Sequence, residues 1–161
     1  VTAAEDQADE LAVPPSDRVL LASEGREISA AAVDCAAQLA ERTGAPVYVF
    51  SIARVWGTSF GFPNPGLLPT REEWEVQRKL VKSAVKALQK RQIAATGNVI
   101  GTRRGAKRIV AEAQRLGCDT IVMSADARRN RFVADFLWSQ EPYRVERRAR
   151  IPVHLVVETS Q

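Results

Sequence analysis

The stretch Val47 to Ile52 is apolar almost throughout, and Thr120 to Met123 repeats that character. A strand with one wet face alternates apolar and polar residues, whereas a run without alternation has both faces to bury. Two such runs predict central strands of a parallel sheet covered by helices on both sides. The rest of the chain supplies the covering elements. A first strand reads Arg18 to Ala22, followed by the turn Ser23-Glu24-Gly25-Arg26-Glu27. Ser29 is placed to cap a helix whose positions Ala32, Val33, Ala36, Leu39 and Ala40 share one face, with Gly44 as its stop. Thr70-Arg71-Glu72-Glu73 is a capping box, and Pro69 and Trp74 stand at staple spacing. The helix they open runs to about Arg91, with Trp74, Leu80, Val81, Ala84, Val85 and Leu88 inward. Ile93 to Ile100 is a third strand, and Gly97 and Asn98 suit an edge position. A third helix spans Arg103 to Leu116, with Ile109, Val110, Ala113 and Leu116 inward and Gly117 as its stop. The last helix covers Ser139 to Ala149 and the last strand Ile151 to Val157. Five strands alternating with four helices define the α/β class: one open, mainly parallel sheet with right-handed crossovers and helices on both faces.

In such a sheet, ligands sit at the carboxyl ends of central strands. The strand Thr120 to Met123 ends at small and polar residues and opens into the loop Ser124-Ala125-Asp126-Ala127-Arg128-Arg129-Asn130-Arg131. Any small-molecule floor is expected there.

The 161 residues suffice for one domain. Residues 1–16 carry Glu5, Asp6, Asp9 and Glu10 with no base and end in Pro14-Pro15-Ser16, which reads as a mobile acidic arm ahead of a domain over 17–161. The formal charge of +4 therefore hides a body of +8. Arginines crowd its last third, and Arg144, Arg147 and Arg148 recur at helical spacing. Such a face attracts anions, nucleic acid or acidic protein, so a nonspecific anion or RNA contact is one expectation. No apolar run is long enough to cross a bilayer, and no secretory leader is expected from these residues. Cys35 and Cys118 lack metal-ligand spacing and read as buried reduced thiols, so a cytoplasmic location is expected.

Between Arg54 and Pro69, three glycines and three prolines oppose a regular element, while Trp56, Phe60, Phe62, Leu67 and Leu68 oppose a purely solvated loop. A partner-binding loop, a ligand lid and packing on the sheet edge all fit that composition. The lone histidine, His154, sits between Val153 and Leu155, where a structural role outweighs a general-base role. Asp119, Asp126 and Asp135 form no ligand spacing. No nucleophilic, acid–base or metal constellation stands out, so the expected class is non-enzymatic, with a weak ATPase as the enzymatic alternative.

Several stretches in order resemble the universal stress protein family over about residues 17–158. They are the turn Ser23 to Ser29, the stretch Ala40-Glu41-Arg42-Thr43-Gly44-Ala45, the stretch Ala106 to Met123, and the corner Ala149 to Val157. The resemblance implies a UspA-like, adenine-nucleotide alpha-hydrolase-like fold with strand order 3-2-1-4-5. It also implies a stress-response role, and in many members a homodimer through the last strand. Family members with nucleotide sites hold ATP after strand four through Gly, two residues, Gly, nine residues, then Gly-Ser or Gly-Thr. Glycines let backbone N–H groups approach phosphates. In this chain Ser124 and Ala127 stand at the first two glycine positions. The third falls on Leu137 followed by Trp138 or, anchored from the last strand, on Ser139 followed by Gln140. All three glycines are absent, so the chain reads as a divergent member.

The resemblance sets Glu24 where the family usually has an aspartate beside the nucleoside. With Val49, Ser124, Ala127, Arg128, Ser139 and Gln140, it makes up the candidate cofactor-binding set. No cofactor is expected, and ATP is the alternative. The first functional expectation is a non-enzymatic regulatory protein acting through protein contacts. Trp56, Phe60, Phe62 and Trp138 are its candidate contact residues, and Val153 and Leu155 those of the homodimer. An adenine-nucleotide stress sensor comes second, and an anion- or RNA-facing accessory protein third.

Overall fold

The computed structural model describes residues 16–54, 68–126 and 140–158. The described elements run β1 (Val19–Ser23), α1 (Ala30–Glu41), β2 (Val47–Arg54), α2 (Arg71–Lys90), β3 (Ala95–Thr102), α3 (Gly105–Leu116), β4 (Thr120–Ala125), α4 (Glu141–Arg148) and β5 (Val153–Val157). The strands form one sheet in the order β3-β2-β1-β4-β5, every pair parallel. β1 is the hub, with Val19 opposite Val47 on one side and Thr120 on the other.

Alternation along the strands sorts the core into two layers. Val19, Leu21, Val47, Val49 and Val122 pack with α1 and α2 residues such as Ala36, Val81 and Leu88. Leu20, Ala22, Phe50, Ile52, Ile121 and Met123 pack with Ile109 and Ala113 of α3 and Val145 of α4. The unalternating strands are thus buried on both faces, as their composition requires.

The caps follow local chemistry. Ser29 Oγ accepts the Ala32 N–H at 3.1 Å, and Thr70 Oγ1 accepts that of Glu73 at 3.2 Å. Gly117 closes α3 with φ +65°, a left-handed turn that favours glycine. Gly97 has a packing reason: a Cβ there would collide with Val81 Cγ1, so α2 lies directly on the edge strand β3.

Boundaries shift where tertiary pairing overrides the local pattern. β2 and β3 stay paired as far as Arg54 and Thr102, beyond the apolar run. Ile93 is core rather than strand, its N–H turned back onto the Leu88 carbonyl at 3.1 Å. Leu80, Val85, Val110 and Leu116 are half-buried. Ser16, at the end of the stretch read as the acidic arm, is held by the domain. Ser16 is buried, and its hydroxyl shares a 2.5 Å hydrogen bond with that of Thr120. Residues 1–15, with the acidic arm, lie outside the described residues, as does the aromatic stretch at 55–67. Among the described residues, no helix is long and apolar enough to cross a membrane.

Candidate functional site

The strand order reverses at β1, so the crevice to examine lies between the carboxyl ends of β1 and β4. β1 ends in a tight turn. Ser23 Oγ donates to the Arg26 carbonyl at 2.6 Å and accepts the Gly25 N–H at 3.1 Å. Gly25 adopts φ +113°, and a Cβ on it would stand 2.7 Å from Arg54 Nε. Here glycine answers both a backbone angle and a close approach. Two side chains from neighbouring elements hold the turn's carbonyls. Arg54 Nε donates to the Glu24 carbonyl at 3.0 Å, and Gln77 Nε2 donates to that of Gly25 at 2.9 Å. Ser51 Oγ fixes the Gln77 amide by donating to its Oε1 at 2.6 Å.

This turn buries the Glu24 side chain completely, at 0% exposure. Arg26 Nε donates to Glu24 Oε1, and Arg26 Nη1 reaches Asp126 Oδ2 at 3.1 Å beyond the end of β4. One guanidinium therefore ties the carboxyl end of β1 to that of β4. Glu24 Oε2 is buried without a hydrogen-bond partner. Burial pushes the Glu24 carboxyl above its ordinary value, against the opposing pull of Arg26 first and of Arg54 more weakly. A second bridge lies beside the first. Ser124 Oγ accepts the Ser29 N–H at 3.0 Å and donates to Ser29 Oγ at 3.1 Å. Tyr143 of α4 donates to the Asp126 carbonyl at 2.6 Å. The chain's own side chains thus span the crevice.

The candidate cofactor residues separate accordingly. Glu24 and Ser124 come together at the crevice, but Glu24 is engaged by Arg26 of its own turn and Ser124 by Ser29 from across the crevice. Val49 is corrected: it is the third residue of an eight-residue strand, 1% exposed, beside Leu21 and Gly97 in the core. The carboxyl end of β2 lies five residues further on, at Arg54. Gln140 precedes α4 and makes no side-chain cap. Ala127, Arg128 and Ser139 lie outside the described residues, as do the contact candidates Trp56, Phe60, Phe62 and Trp138. Among residues not singled out as site members, Arg26, Gln77 and Arg54 build this place. Gln77 was detectable, as a polar residue on the inner face of α2 between Trp74 and Val81.

At the sheet's other end, β5 pairs with β4 alone among the described residues. Val153 and Leu155 pack toward α3 and α4, and Val156 toward α1, so alternate residues face opposite sides as expected. All three are half-buried, and Val157 is exposed. His154 Nε2 is buried without a partner, and burial lowers the imidazole's proton affinity. Cys118 is buried, and burial first and Asp119 next push its thiol up to about 11, which disfavours the thiolate. Asp119 caps the start of β1, accepting the Asp17 N–H at 2.8 Å. No cluster among the described residues could hold a metal ion.

A third feature joins two distant segments. Arg103, Arg104 and Lys107 at the start of α3 line a recess of about 410 Å³ with Glu141, Arg144 and Arg148 of α4. Glu141 is buried at its floor, where its carboxylate accepts the Ala106 N–H at 2.8 Å and Arg144 Nη1 at 2.6 Å.

The fold is of the doubly wound α/β class, a parallel sheet of order 3-2-1-4-5 with its crevice between β1 and β4. Within it the match is specific: the universal stress protein family model covers residues 15–157, and the chain belongs to that family. Among solved structures, it is similar to a universal stress family protein from Burkholderia pseudomallei, with TM-score 0.63 and 21% identity over 87% of this chain and 95% of that one. It is also similar to the Archaeoglobus fulgidus universal stress protein in complex with dAMP, with TM-score 0.63 and 18% identity over 86% and 95% of the two chains. A universal stress protein in complex with cAMP gives TM-score 0.63 and 16% identity over 91% and 100%. At these identities the likeness is one of fold. No curated protein matches the chain by sequence.

Proposed function

We propose that this universal stress protein is a non-enzymatic regulatory protein that acts through protein contacts as a homodimer, without a bound nucleotide. The observation that carries the reading is Arg26, which spans the crevice from Glu24 to Asp126. An adenine nucleotide in that crevice would have to displace a buried ion pair and the Ser124–Ser29 bridge, and the three motif glycines are absent. The residues there do not fit a nucleotide. The dimer reading draws on β5, the outermost strand among the described residues, rich in half-buried apolar side chains, whose outer backbone edge suits an antiparallel copy about a two-fold axis. His154, with its unpartnered Nε2, would lie near that axis. The acidic arm, the aromatic stretch and the segment from Trp138 to Tyr143 are the surfaces proposed for other proteins.

The second reading, a nucleotide sensor, is favoured by one residue: an acid, Glu24, still ends β1 in a fold whose relatives include proteins solved with dAMP and cAMP. Calorimetry separates the two. Mg-ATP, ADP and cyclic AMP should give no saturable heat at micromolar concentration. Stoichiometric ATP binding that weakens in Glu24→Ala would replace the first reading by the second. For the dimer, light scattering should give twice the chain mass, shifting toward monomer in Val156→Pro, which removes an N–H from the edge.

A further inference from the structure

We infer that the recess between α3 and α4 is an anion site for a compact oligophosphate, recognised through its phosphates alone. The site does not depend on the nucleotide or dimer readings. Five cationic side chains, Arg103, Arg104, Lys107, Arg144 and Arg148, converge on one hollow of about 410 Å³, a volume suited to a small ligand. Among the described residues the one acid in its lining, Glu141, is already engaged by Ala106 and Arg144. Among the described residues no acid pairs with Arg103, Arg104, Lys107 or Arg148, and all four are exposed. Four like charges around one recess repel each other, and no described acid is paired with them.

The chemistry of the lining selects the ligand. Four of the five cations are arginines, whose planar forks match phosphate oxygens two at a time. Among the described residues no aromatic side chain lines the recess to stack on a base, so the lining offers recognition through the phosphates. Arg103, Arg104 and Lys107 stand at the start of α3 and Arg144 and Arg148 one turn apart on α4, a compact spacing that favours a short phosphate chain over an extended polymer. An acidic peptide would have to bring several separate carboxylates into the same volume, whereas an oligophosphate carries that charge on adjacent groups. Glu141 acts as a positioning residue: it ties Arg144 to the floor and pins α4 to the first turn of α3.

Titration calorimetry with inorganic tripolyphosphate at low ionic strength tests the site. Wild type should bind one equivalent, and added salt should weaken it as the charges are screened. The double variant Arg104→Glu/Arg148→Glu should bind about tenfold or more weakly, since two attractions become repulsions. Lys86→Glu, an exposed charge reversal on α2, should bind within about twofold of wild type, as a distant solvated charge is screened. Circular dichroism of each variant should match wild type, because only exposed positions change; Arg104→Gln/Arg148→Gln, with the same loss in smaller degree, guards against a misfolded reversal. Absence of saturable binding overturns the inference. So does an equal loss in Lys86→Glu, which would mean net charge alone is at work. A loss in Glu24→Gln that matches the double variant would move the anion to the crevice and overturn it as well. Tight binding of a single-stranded oligonucleotide that tripolyphosphate fails to displace would assign the face to nucleic acid instead.

Discussion

The crevice between β1 and β4 and the recess between α3 and α4 are built from the same kinds of residue and treat them oppositely. In the crevice a buried carboxylate, Glu24, meets a guanidinium, Arg26, which also reaches Asp126, so the charges answer each other inside the chain. In the recess one carboxylate holds one arginine, and four further cations face solvent. The difference teaches where this molecule has room for a ligand. A cluster whose charges pair within the chain resists intrusion, even with Glu24 Oε2 left without a partner. An unsatisfied cluster adds little to stability and offers its charge to something else.

The largest expected effect breaks the crevice. Arg26→Ala leaves Glu24 buried without its partner and should destabilise the fold by about 3 kcal/mol in urea unfolding. Adding Glu24→Gln should restore part of the loss, because the buried charge is gone as well. A cost near that of an ordinary surface substitution would show the crevice to be open and solvated, and the comparison would fail. Gly25→Ala comes next. It forces a side chain into φ +113° and against Arg54 Nε, and should cost about 1–3 kcal/mol. Ser124→Ala removes the acceptor of the Ser29 N–H and should cost about 1 kcal/mol.

Two titrations sharpen the contrast through pH. The Glu24 carboxyl is raised in the fold, so its contribution is fully present below the ordinary carboxylate value and is lost as pH rises through the folded value. Glu24→Gln should flatten that part of the stability profile. His154 is shifted the other way. Its contribution is present above the ordinary value of 6.5 and is lost as pH falls through the lower folded value, so His154→Leu should remove a loss of stability on the acid side. The smallest effect belongs to the recess. Arg104→Ala and Arg148→Ala should each change stability by no more than about 0.5 kcal/mol. A large destabilisation by either would mean that the recess is structural, like the crevice.

Several features were legible in the residues alone because they depend on neighbours in the chain. The caps at Ser29 and Thr70, the stop at Gly117 and the unalternating strands are local, and each folds as its own chemistry dictates. Their order fixed the α/β class, and the stretches resembling the universal stress proteins carried the strand order. The lost glycines at Ser124 and Ala127 were equally plain. Val49 was misjudged because an apolar run marks where a strand is buried, while pairing with β3 decides where it ends. The turn's sequence shows Arg26 but not its reach to Asp126, one hundred residues later, which required β1 and β4 to be neighbours. Likewise, the arginines of α4 were visible as a helical face. Only the packing of α4 on α3 set Arg144 and Arg148 opposite Arg103, Arg104 and Lys107. Side-chain periodicity is written within each element, but a site assembled across elements exists only once the sheet has fixed their distances.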